Sequence, residues 1–132
     1  FAFLILFSTH GSAGAAALAW NTFLGQSGGD RGYGVAVDGS GYAYVAGTSA
    51  ATWGAPVRIH NGSSDAFVAK IADNGTLVWN TFLGDFFGDE SKKIAVDGSG
   101  NVYVVGSSAT SWAGPVQPWA GGRNPVSYSI YF

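Results

Sequence analysis

The sequence predicts an all-β fold built from a repeated unit. Residues 20–25 (Trp-Asn-Thr-Phe-Leu-Gly) return as 79–84, and residues 36–41 return as 95–100, with the same offset of 59. Between residues 20–57 and 79–116, 22 of 38 positions are identical. A fixed period of this length is typical of repeat architectures, and no window of ten or more residues shows the periodicity of a helix.

Each period contains four strand-like runs, which in the first period cover residues 34–37, 42–47, 66–71 and 76–83. β-branched and aromatic residues fill the runs, whereas Asp, Asn, Gly and Ser fill the joints. Residues 42–47 are apolar or small at every position, so both faces of this sheet must be covered. Short antiparallel strands stacked face to face predict propeller blades. A two-sheet sandwich is the alternative, but it would need polar residues on its outer faces.

The fold expected from these observations is a β-propeller fragment of about two four-stranded antiparallel blades, with part of a third as an open alternative. Residues 20–78 form the first repeat, and residues 79–132 form the second, which diverges at its C-terminal end. Residues 1–19 are either the remnant of a signal peptide, because an apolar run precedes small residues, or a strand of a partial preceding repeat. In the second case Ala2-Phe3-Leu4 matches Ala66-Phe67-Val68.

Two Asp-Gly-Ser-Gly segments predict a tight turn between the first two strands of each repeat. The Asp carboxylate is expected to accept backbone N–H groups, and the glycines to supply positive φ angles. A calcium loop is the functional alternative, but it needs several oxygen ligands, and no second carboxylate is close in sequence. We therefore expect structural turns, without a metal, at Asp38, Gly39, Gly41, Asp97, Gly98 and Gly100.

Composition excludes several classes of function. The net charge is −2, and no basic cluster exceeds the pair Lys92-Lys93, which argues against a nucleic-acid partner. The chain has no cysteine, so disulfides and thiolate metal sites are excluded. The N-terminal apolar run, Phe1 to Phe7, falls short of the roughly 20 residues that a membrane span needs.

The sequence predicts no catalytic residue, metal or cofactor. Residues 25–29 spell Gly-x-Ser-x-Gly, but a hydrolase needs a helix directly after this motif, and none is predicted. His60, near Asp65 and two serines, suggests a Ser–His–Asp relay, yet these groups share one loop, and a solvated histidine is the more common case. Asp89 and Glu90 are adjacent on a strand and therefore point apart, unlike paired glycosidase carboxylates.

Trp53 and Trp112 occupy equivalent positions in the long loop of each repeat, just before a proline. If they are exposed, they form a periodic row that can stack on sugars or peptides, which makes them weak candidates for ligand binding. The favoured alternative is that each indole packs its loop against its own blade, because a buried Trp contributes a large packing area.

These blocks closely resemble the bacterial SBBP β-propeller repeat family. The resemblance rests on Trp-Asn-Thr-Phe-Leu-Gly, then Val-Asp-Gly-Ser-Gly-x-x-Tyr-Val, Trp-x-x-Pro-Val and Ser-Asp-Ala-Phe-Val-Ala-Lys, in that order. It implies a β-propeller in a large, multi-repeat, secreted or surface-exposed bacterial protein, and it implies no defined activity. The chain departs from the pattern at residues 86–93 and after residue 122.

The function expected from the sequence is that of a non-catalytic repeat scaffold, extracellular or on the bacterial cell surface, whose loops bind proteins or glycans. Its expected partners are further repeats of the same full-length chain. The alternative is that these are blades of a larger extracellular enzyme whose active site lies outside this sequence. The two copies differ most at residues 26–34 and 85–93, so a specific function is expected in the variable loops or outside this sequence.

Two blades are too few for a closed ring, which takes about four to eight. Because each repeat buries its faces on its neighbours, we expect this chain in isolation to associate or to unfold easily. Analytical ultracentrifugation and thermal unfolding test this expectation. A sharp monomeric species of high thermal stability would contradict it.

Overall fold

The computed structural model describes residues 3–9, 17–111, 113 and 127–131, with side chains for 18–111 and 113. Within these residues the chain forms nine antiparallel strands in three sheets. The strands are β1 (Phe3–Thr9), β2 (Ala17–Leu24), β3 (Arg31–Val37), β4 (Ala43–Ser49), β5 (Asp65–Ile71), β6 (Leu77–Leu83), β7 (Glu90–Val96), β8 (Val102–Ser108) and β9 (Ser127–Tyr131).

The sheets have the meander order of propeller blades, which confirms the predicted fold class. Strands β3 to β6 form a four-stranded sheet in chain order, here called blade 1. Strands β7 to β9 form a three-stranded sheet in the same order, here called blade 2, and β1 pairs with β2. Over the described part of the chain, no helix is long and apolar enough to cross a membrane.

The sheets and the sequence repeat are out of phase, because blade 1 runs from Arg31 to Leu83 and thus crosses the boundary between residues 78 and 79. The predicted alignment of the N-terminal strand is wrong by one residue. Phe3 pairs with Leu24, and Ala66 pairs with Leu83, so Phe3 rather than its predecessor corresponds to Ala66. The repeat boundaries and both interpretations of residues 1–19 stay predictions. The divergent segment 122–126 lies outside the described residues.

Both faces of the central strand β4 of blade 1 are covered. All seven residues of β4 are buried. On one face, here called the front, Val45 packs with Phe67 and Phe82. On the opposite face, here called the back, Ala46 and Val68 pack against blade 2. The apolar and small residues at 43–47 of this strand therefore have a physical reason, because neither of its sides meets water.

Blade 2 packs its own front face on the back of blade 1. Ile94 and Val104 of blade 2 join the apolar cluster on that back face. Two hydrogen bonds tie the same junction: the Thr48 hydroxyl donates to the carbonyl of Asp89 at 2.8 Å, and the Ser91 hydroxyl donates to the carbonyl of Gly47 at 2.7 Å. The junction therefore satisfies buried polar groups as well as apolar area.

Gly47 lies where two strands leave no room for a side chain. A Cβ atom at this position would lie 2.0 Å from the carbonyl oxygen of Arg31 and 2.7 Å from the Phe67 ring. The same contact recurs one repeat later, where a Cβ at Gly106 would lie 2.0 Å from the carbonyl oxygen of Glu90. The glycine is needed because the neighbouring backbone cannot move away without breaking the strand pairing.

We expect Gly47→Ala to lower the free energy of unfolding by about 2 kcal/mol or more, since the added methyl group collides with backbone. Urea denaturation measures this change. Gly39→Ala is the matched control, because a Cβ at Gly39 meets nothing within 4 Å, and its effect should stay within about 0.5 kcal/mol. Equal effects of the two substitutions would contradict the packing described here.

Candidate functional site: two interlocked loops beside the blade junction

Two loops pack against each other at one end of the blades. The long loop joins β4 to β5 and covers residues 50–64, and the connector joins β6 to β7 and covers residues 84–89. A Cβ at Gly62, in the long loop, would lie 2.4 Å from the carbonyl oxygen of Phe86, in the connector. The backbone N–H of Asp89 donates to the carbonyl of Ser64 at 2.9 Å. The two loops are thus in direct backbone contact.

Arg58 fastens the long loop to the outer strand of blade 1. Its guanidinium donates to the carbonyl of Phe82 at 3.3 Å and to that of Gly84. Backbone bonds add to this: Val57 N–H donates to the carbonyl of Asn80 at 2.9 Å, and Phe82 N–H donates to the carbonyl of Arg58 at 3.1 Å. The loop therefore forms hydrogen bonds with main-chain N–H and C=O groups of β6 that would otherwise be exposed at the sheet edge.

Trp53 lies in the core rather than on the surface. Its ring is 6% exposed and makes edge-on contacts with Phe67 and Phe82, at centroid distances of 5.2 and 5.7 Å. Its indole N–H donates to the Ser49 hydroxyl at 3.2 Å, and its carbonyl accepts from the Asn80 amide at 2.8 Å. No ring face is left for a ligand, so this placement argues against the weak binding assignment of Trp53. Trp112 lies outside the described residues, and its assignment stays a prediction.

Three buried carboxylates cap the loops around this site. In each case one oxygen accepts the backbone N–H of the residue four positions earlier, at 2.8 to 3.1 Å. The acceptors are Asp30, Asp65 and Asp89, and the donors are Gln26, Asn61 and Asp85, respectively. This capping role was not predicted from the sequence. The signal that could have revealed it is that Asp30 and Asp89 are themselves separated by the repeat offset, within segments that otherwise diverge.

Burial raises the pKa of both Asp65 and Asp89. For Asp65, hydrogen bonding to Asn61 N–H and the charges of His60 and Arg58 oppose this effect, whereas the charge of Asp89 adds to it. The second oxygen of Asp65, Oδ1, is buried and has no hydrogen-bond partner within the described residues. For Asp89, the hydroxyl of Ser108 and the backbone N–H of Asp85 oppose the effect of burial on the pKa. Burial therefore disfavours the charged form of both carboxylates, although each of them holds its loop in place.

The groups suggested for catalysis are not assembled into a catalytic arrangement. The His60 ring packs edge-on against Phe82 at 5.9 Å, and in the described part of the chain its Nε2 atom has no hydrogen-bond partner, neither Ser63 nor Ser64. Glu90 forms an ion pair with Lys92 at the surface, whereas its neighbour Asp89 is buried. No group of three metal-ligating side chains occurs among the described residues.

Residues 25–29, which spell Gly-x-Ser-x-Gly, form an irregular connection between strands β2 and β3. The strand that follows is not the helix that a hydrolase nucleophile requires. Ser27 is exposed and belongs to the loop that Asp30 caps. The Gly-x-Ser-x-Gly segment is therefore part of a connecting loop.

The Asp-Gly-Ser-Gly turns are built from side-chain caps. Asp38 Oδ1 accepts the N–H groups of Ser40 and Tyr42 at 2.9 and 3.0 Å, and Oδ2 accepts the Tyr44 hydroxyl at 3.0 Å. Asp97 makes the equivalent bonds to Ser99, Asn101 and Tyr103. Positive φ angles occur at Gly41 and Gly100, at 86° and 85°, but not at Gly39 and Gly98. The expectation of positive φ is therefore wrong for the first glycine of each turn.

Four large apolar side chains are exposed on the interlocked loops. Phe86 and Phe87 are 70% and 54% exposed, and their rings meet edge-on at 5.7 Å. Val57 and Ile59 on the long loop are 81% and 66% exposed. The equivalent positions to the phenylalanines in the preceding connector are Ser27 and Gly28. One connector therefore carries an aromatic pair that its repeat copy lacks.

We expect Asp89→Asn to become more stabilising, relative to the wild type, as the pH rises. The folded-state pKa of Asp89 is raised, so the folded state binds the proton more tightly than the unfolded chain does. Stability therefore falls as the pH rises from the unfolded-state value, about 3.9, through the folded-state value. The substitution removes this loss and keeps an oxygen for the Asp85 N–H. Urea denaturation across the acidic and neutral range measures the difference.

Asp97→Asn is a control of opposite sign. The hydrogen bond from the Asn101 side chain, with further bonds in the turn, lowers the pKa of Asp97. Its contribution to stability is therefore present above the unfolded-state pKa and is lost as the pH falls through the lowered folded-state pKa. Parallel pH dependences for the two variants would contradict the opposite environments of these carboxylates.

The repeat seen in the sheets is also found by comparison with known families. No curated protein matches the chain. The family model described as "SBBP: Beta-propeller repeat" matches twice, at residues 20–52 and 83–110. The second match lies within the first when that is shifted by one repeat, to 79–111. With the blade-like order of the sheets, the two matches identify residues 20–52 and 83–110 as SBBP β-propeller repeats.

Proposed function

We propose that this chain is a non-catalytic part of a repeat scaffold, outside a bacterial cell or on its surface, that binds a protein through its interlocked loops. The observation that carries the proposal is the exposed Phe86–Phe87 pair. Exposed apolar groups that cluster on one surface are typical of interaction sites. The extracellular location is supported by the resemblance of the repeat blocks to those of secreted and surface proteins.

The aromatic pair is presented by a rigid framework. Asp89 caps the connector through the Asp85 N–H at 2.9 Å, and Arg58 holds the connector at the carbonyl of Gly84. The long loop is held in turn by the buried Trp53. Binding by loops that are already ordered loses less conformational entropy, so a small apolar patch can contribute useful affinity.

The chemistry of the patch favours a protein over a glycan. Phenylalanine rings have no polar atom, and aromatic residues are enriched in the buried centres of protein interfaces. Sugars need hydrogen bonds in addition to stacking, and of the two indoles predicted for stacking, that of Trp53 is buried. The exposed Val57 and Ile59 extend the apolar character of these loops.

The polar groups of the loops support a non-catalytic role. Arg58 donates to main-chain carbonyls, and Asp65 and Asp89 accept main-chain N–H groups. Each of these groups already serves to hold a loop. The partners that we propose in addition are further repeats of the same kind, since the blades pack face to face.

An exchange of the connector residues tests the binding role. The double variant Phe86→Ser with Phe87→Gly copies Ser27 and Gly28 from the equivalent connector, so it keeps a loop sequence that the fold already accommodates. The probe is a phage-displayed library of random peptides, selected on the immobilised wild-type chain. We expect selected peptides with apolar anchors to bind the double variant at least about tenfold more weakly, as for the loss of an interface hot spot.

Phe23→Ser is the matched control, because Phe23 is 63% exposed but lies on β2, outside the interlocked loops. Its effect on peptide binding should be small. If the selected peptides bind the double variant as tightly as the wild type, the proposed site is wrong. The proposed site is also wrong if the chain binds only to a glycan array and this binding is unchanged when both phenylalanines are replaced.

A further inference from the structure

The chain contains two Asn-Gly dipeptides, at residues 61–62 and 74–75. In such a dipeptide the backbone nitrogen of the glycine is sterically accessible, because the residue carries no side chain. This nitrogen can attack the side-chain amide carbon of the preceding asparagine, which is one reason why asparagine is a thermolabile residue. Both asparagines are exposed, so access of water does not distinguish the two sites.

Hydrogen bonds hold the second dipeptide in an unreactive arrangement. The Gly75 N–H donates to the carbonyl of Ala72 at 3.0 Å, so the attacking nitrogen is part of a turn. The Asn74 side-chain oxygen accepts the N–H of Thr76 at 3.0 Å, which fixes the orientation of the amide. A Cβ at Gly75 would lie 2.9 Å from the Trp20 ring, so the turn is also packed from one side. Attack at Asn74 therefore requires that both hydrogen bonds break.

The first dipeptide lies in the long loop and lacks these two restraints. Among the described residues, no hydrogen bond holds the Asn61 side-chain amide or the Gly62 N–H. The backbone N–H of Asn61 donates to Asp65 at 2.8 Å, but this group lies on the other side of the Cα atom from the reacting atoms. The amide carbon and the attacking nitrogen are therefore free to approach each other.

We propose that Asn61 is a site of spontaneous deamidation, and that this modification opens the contact between the interlocked loops. The Gly62 nitrogen forms a bond to Asn61 Cγ, the amide C–N bond breaks, and the amide nitrogen leaves as ammonia with the proton of the Gly62 N–H. The succinimide then takes up one water molecule. Hydrolysis at the side-chain carbonyl gives aspartate, and hydrolysis at the main-chain carbonyl gives isoaspartate.

Isoaspartate does not fit the packed loops, because it adds one carbon atom to the main chain just before Gly62. A Cβ at Gly62 would already lie 2.4 Å from the carbonyl oxygen of Phe86 and 2.6 Å from that of Asp85, so the glycine has no room to shift toward the connector. The additional carbon atom therefore separates the two loops and breaks the hydrogen bond from the Asp89 N–H to the carbonyl of Ser64.

Both products also place a new negative charge on the residue whose N–H binds a buried carboxylate. Asp65 accepts this N–H, and its second oxygen is buried without a hydrogen-bond partner among the described residues. Burial and the charge of Asp89 raise the pKa of Asp65, and a further carboxylate nearby disfavours its charged form in the same way. Aspartate therefore weakens this cap, whereas isoaspartate weakens both the cap and the contact between the loops.

Peptide mapping of the incubated chain tests the selectivity of the reaction. The full chain is kept in a warm, mildly alkaline buffer, with circular dichroism to check that it stays folded, and is then digested with trypsin. The peptides 59–70 and 71–92 separate Asn61 from Asn74, and mass spectrometry measures the replacement of –NH2 by –OH in each. We expect deamidation at Asn61 to be at least about tenfold faster, since two hydrogen bonds must break at Asn74.

The chain unfolded in guanidinium chloride is the matched control, because it loses the hydrogen bonds but keeps both dipeptides. In the unfolded chain the two asparagines should react at similar rates. Equal rates at Asn61 and Asn74 in the folded chain, or a faster reaction at Asn74, overturn the proposal.

Hydrogen exchange tests the effect on the loops. Asn61→Gln is incubated in parallel, since it keeps a side-chain amide but would have to close a larger, six-membered ring. We expect the Asp89 N–H to lose its protection against exchange in the incubated wild type, as local opening of the loops requires, and to keep it in the variant. A wild type that is deamidated at Asn61 but keeps this protection overturns the proposed opening.

The inference concerns the chemistry of the long loop and holds whether or not the loops bind a partner. A chain that is deamidated as expected, but does not bind the selected peptides, overturns the binding role of the loops alone. A chain that binds these peptides through Phe86 and Phe87, but reacts equally at Asn61 and Asn74, overturns the deamidation proposal alone.

Discussion

Apolar residues on both sides of each central strand are the constraint on which the rest of this structure depends. Neither side of β4 can face water, so each sheet needs two covers. On the front of blade 1 the cover includes the long loop, with Trp53 between Phe67 and Phe82. On the back it is the neighbouring blade, with Ile94 and Val104. The length of the loop and the stacking of the blades are both consequences of this one property.

At the ends of the sheets, aspartate side chains accept hydrogen bonds from the backbone of the connectors and turns. The connectors change direction sharply, and their backbone N–H groups need acceptors that water cannot always supply. Asp65 and Asp89 provide these acceptors from inside the structure and lose their own hydration, which raises the pKa of each. At the surface, desolvation of Asp38 is outweighed by its hydrogen bonds, and for Asp97 the bonds from Asn101 dominate, so the pKa of each is lowered. Aspartate thus accepts backbone N–H groups both in buried positions, where its pKa is raised, and at the surface, where its pKa is lowered.

The fold could be predicted from the sequence because the repeat marks the strands and turns twice. The four strands of blade 1 lie within a few residues of the predicted runs, and the Asp38 and Asp97 turns occur where the Asp-Gly-Ser-Gly blocks stand. The predicted alignment of β1 with β5 was wrong because it followed side-chain similarity. The backbone pairing with the next strand instead places Phe3 at the position of Ala66. Burial of Trp53 was favoured but not decided by sequence, since a loop tryptophan followed by a proline fits either packing or display.

The site itself was harder to predict, because its parts are distant in sequence. Arg58 reaches the carbonyl of Gly84, and Asp89 meets the carbonyl of Ser64, and neither contact follows from local patterns. The aromatic pair of the connector was visible only as a divergence between two copies. Divergence shows where repeats differ. The structure is needed to show that Phe86 and Phe87 are exposed, and that hydrogen bonds from Arg58 and to Asp89 hold their loop in place.

The phase difference between sheets and sequence repeat has a consequence for how such genes change length. Loss or gain of one full repeat length anywhere in the matched region joins the first part of one blade to the last part of another, and every strand and turn keeps its length. Unequal exchange between two similar stretches of DNA can therefore change the number of blades while each blade keeps its full set of strands.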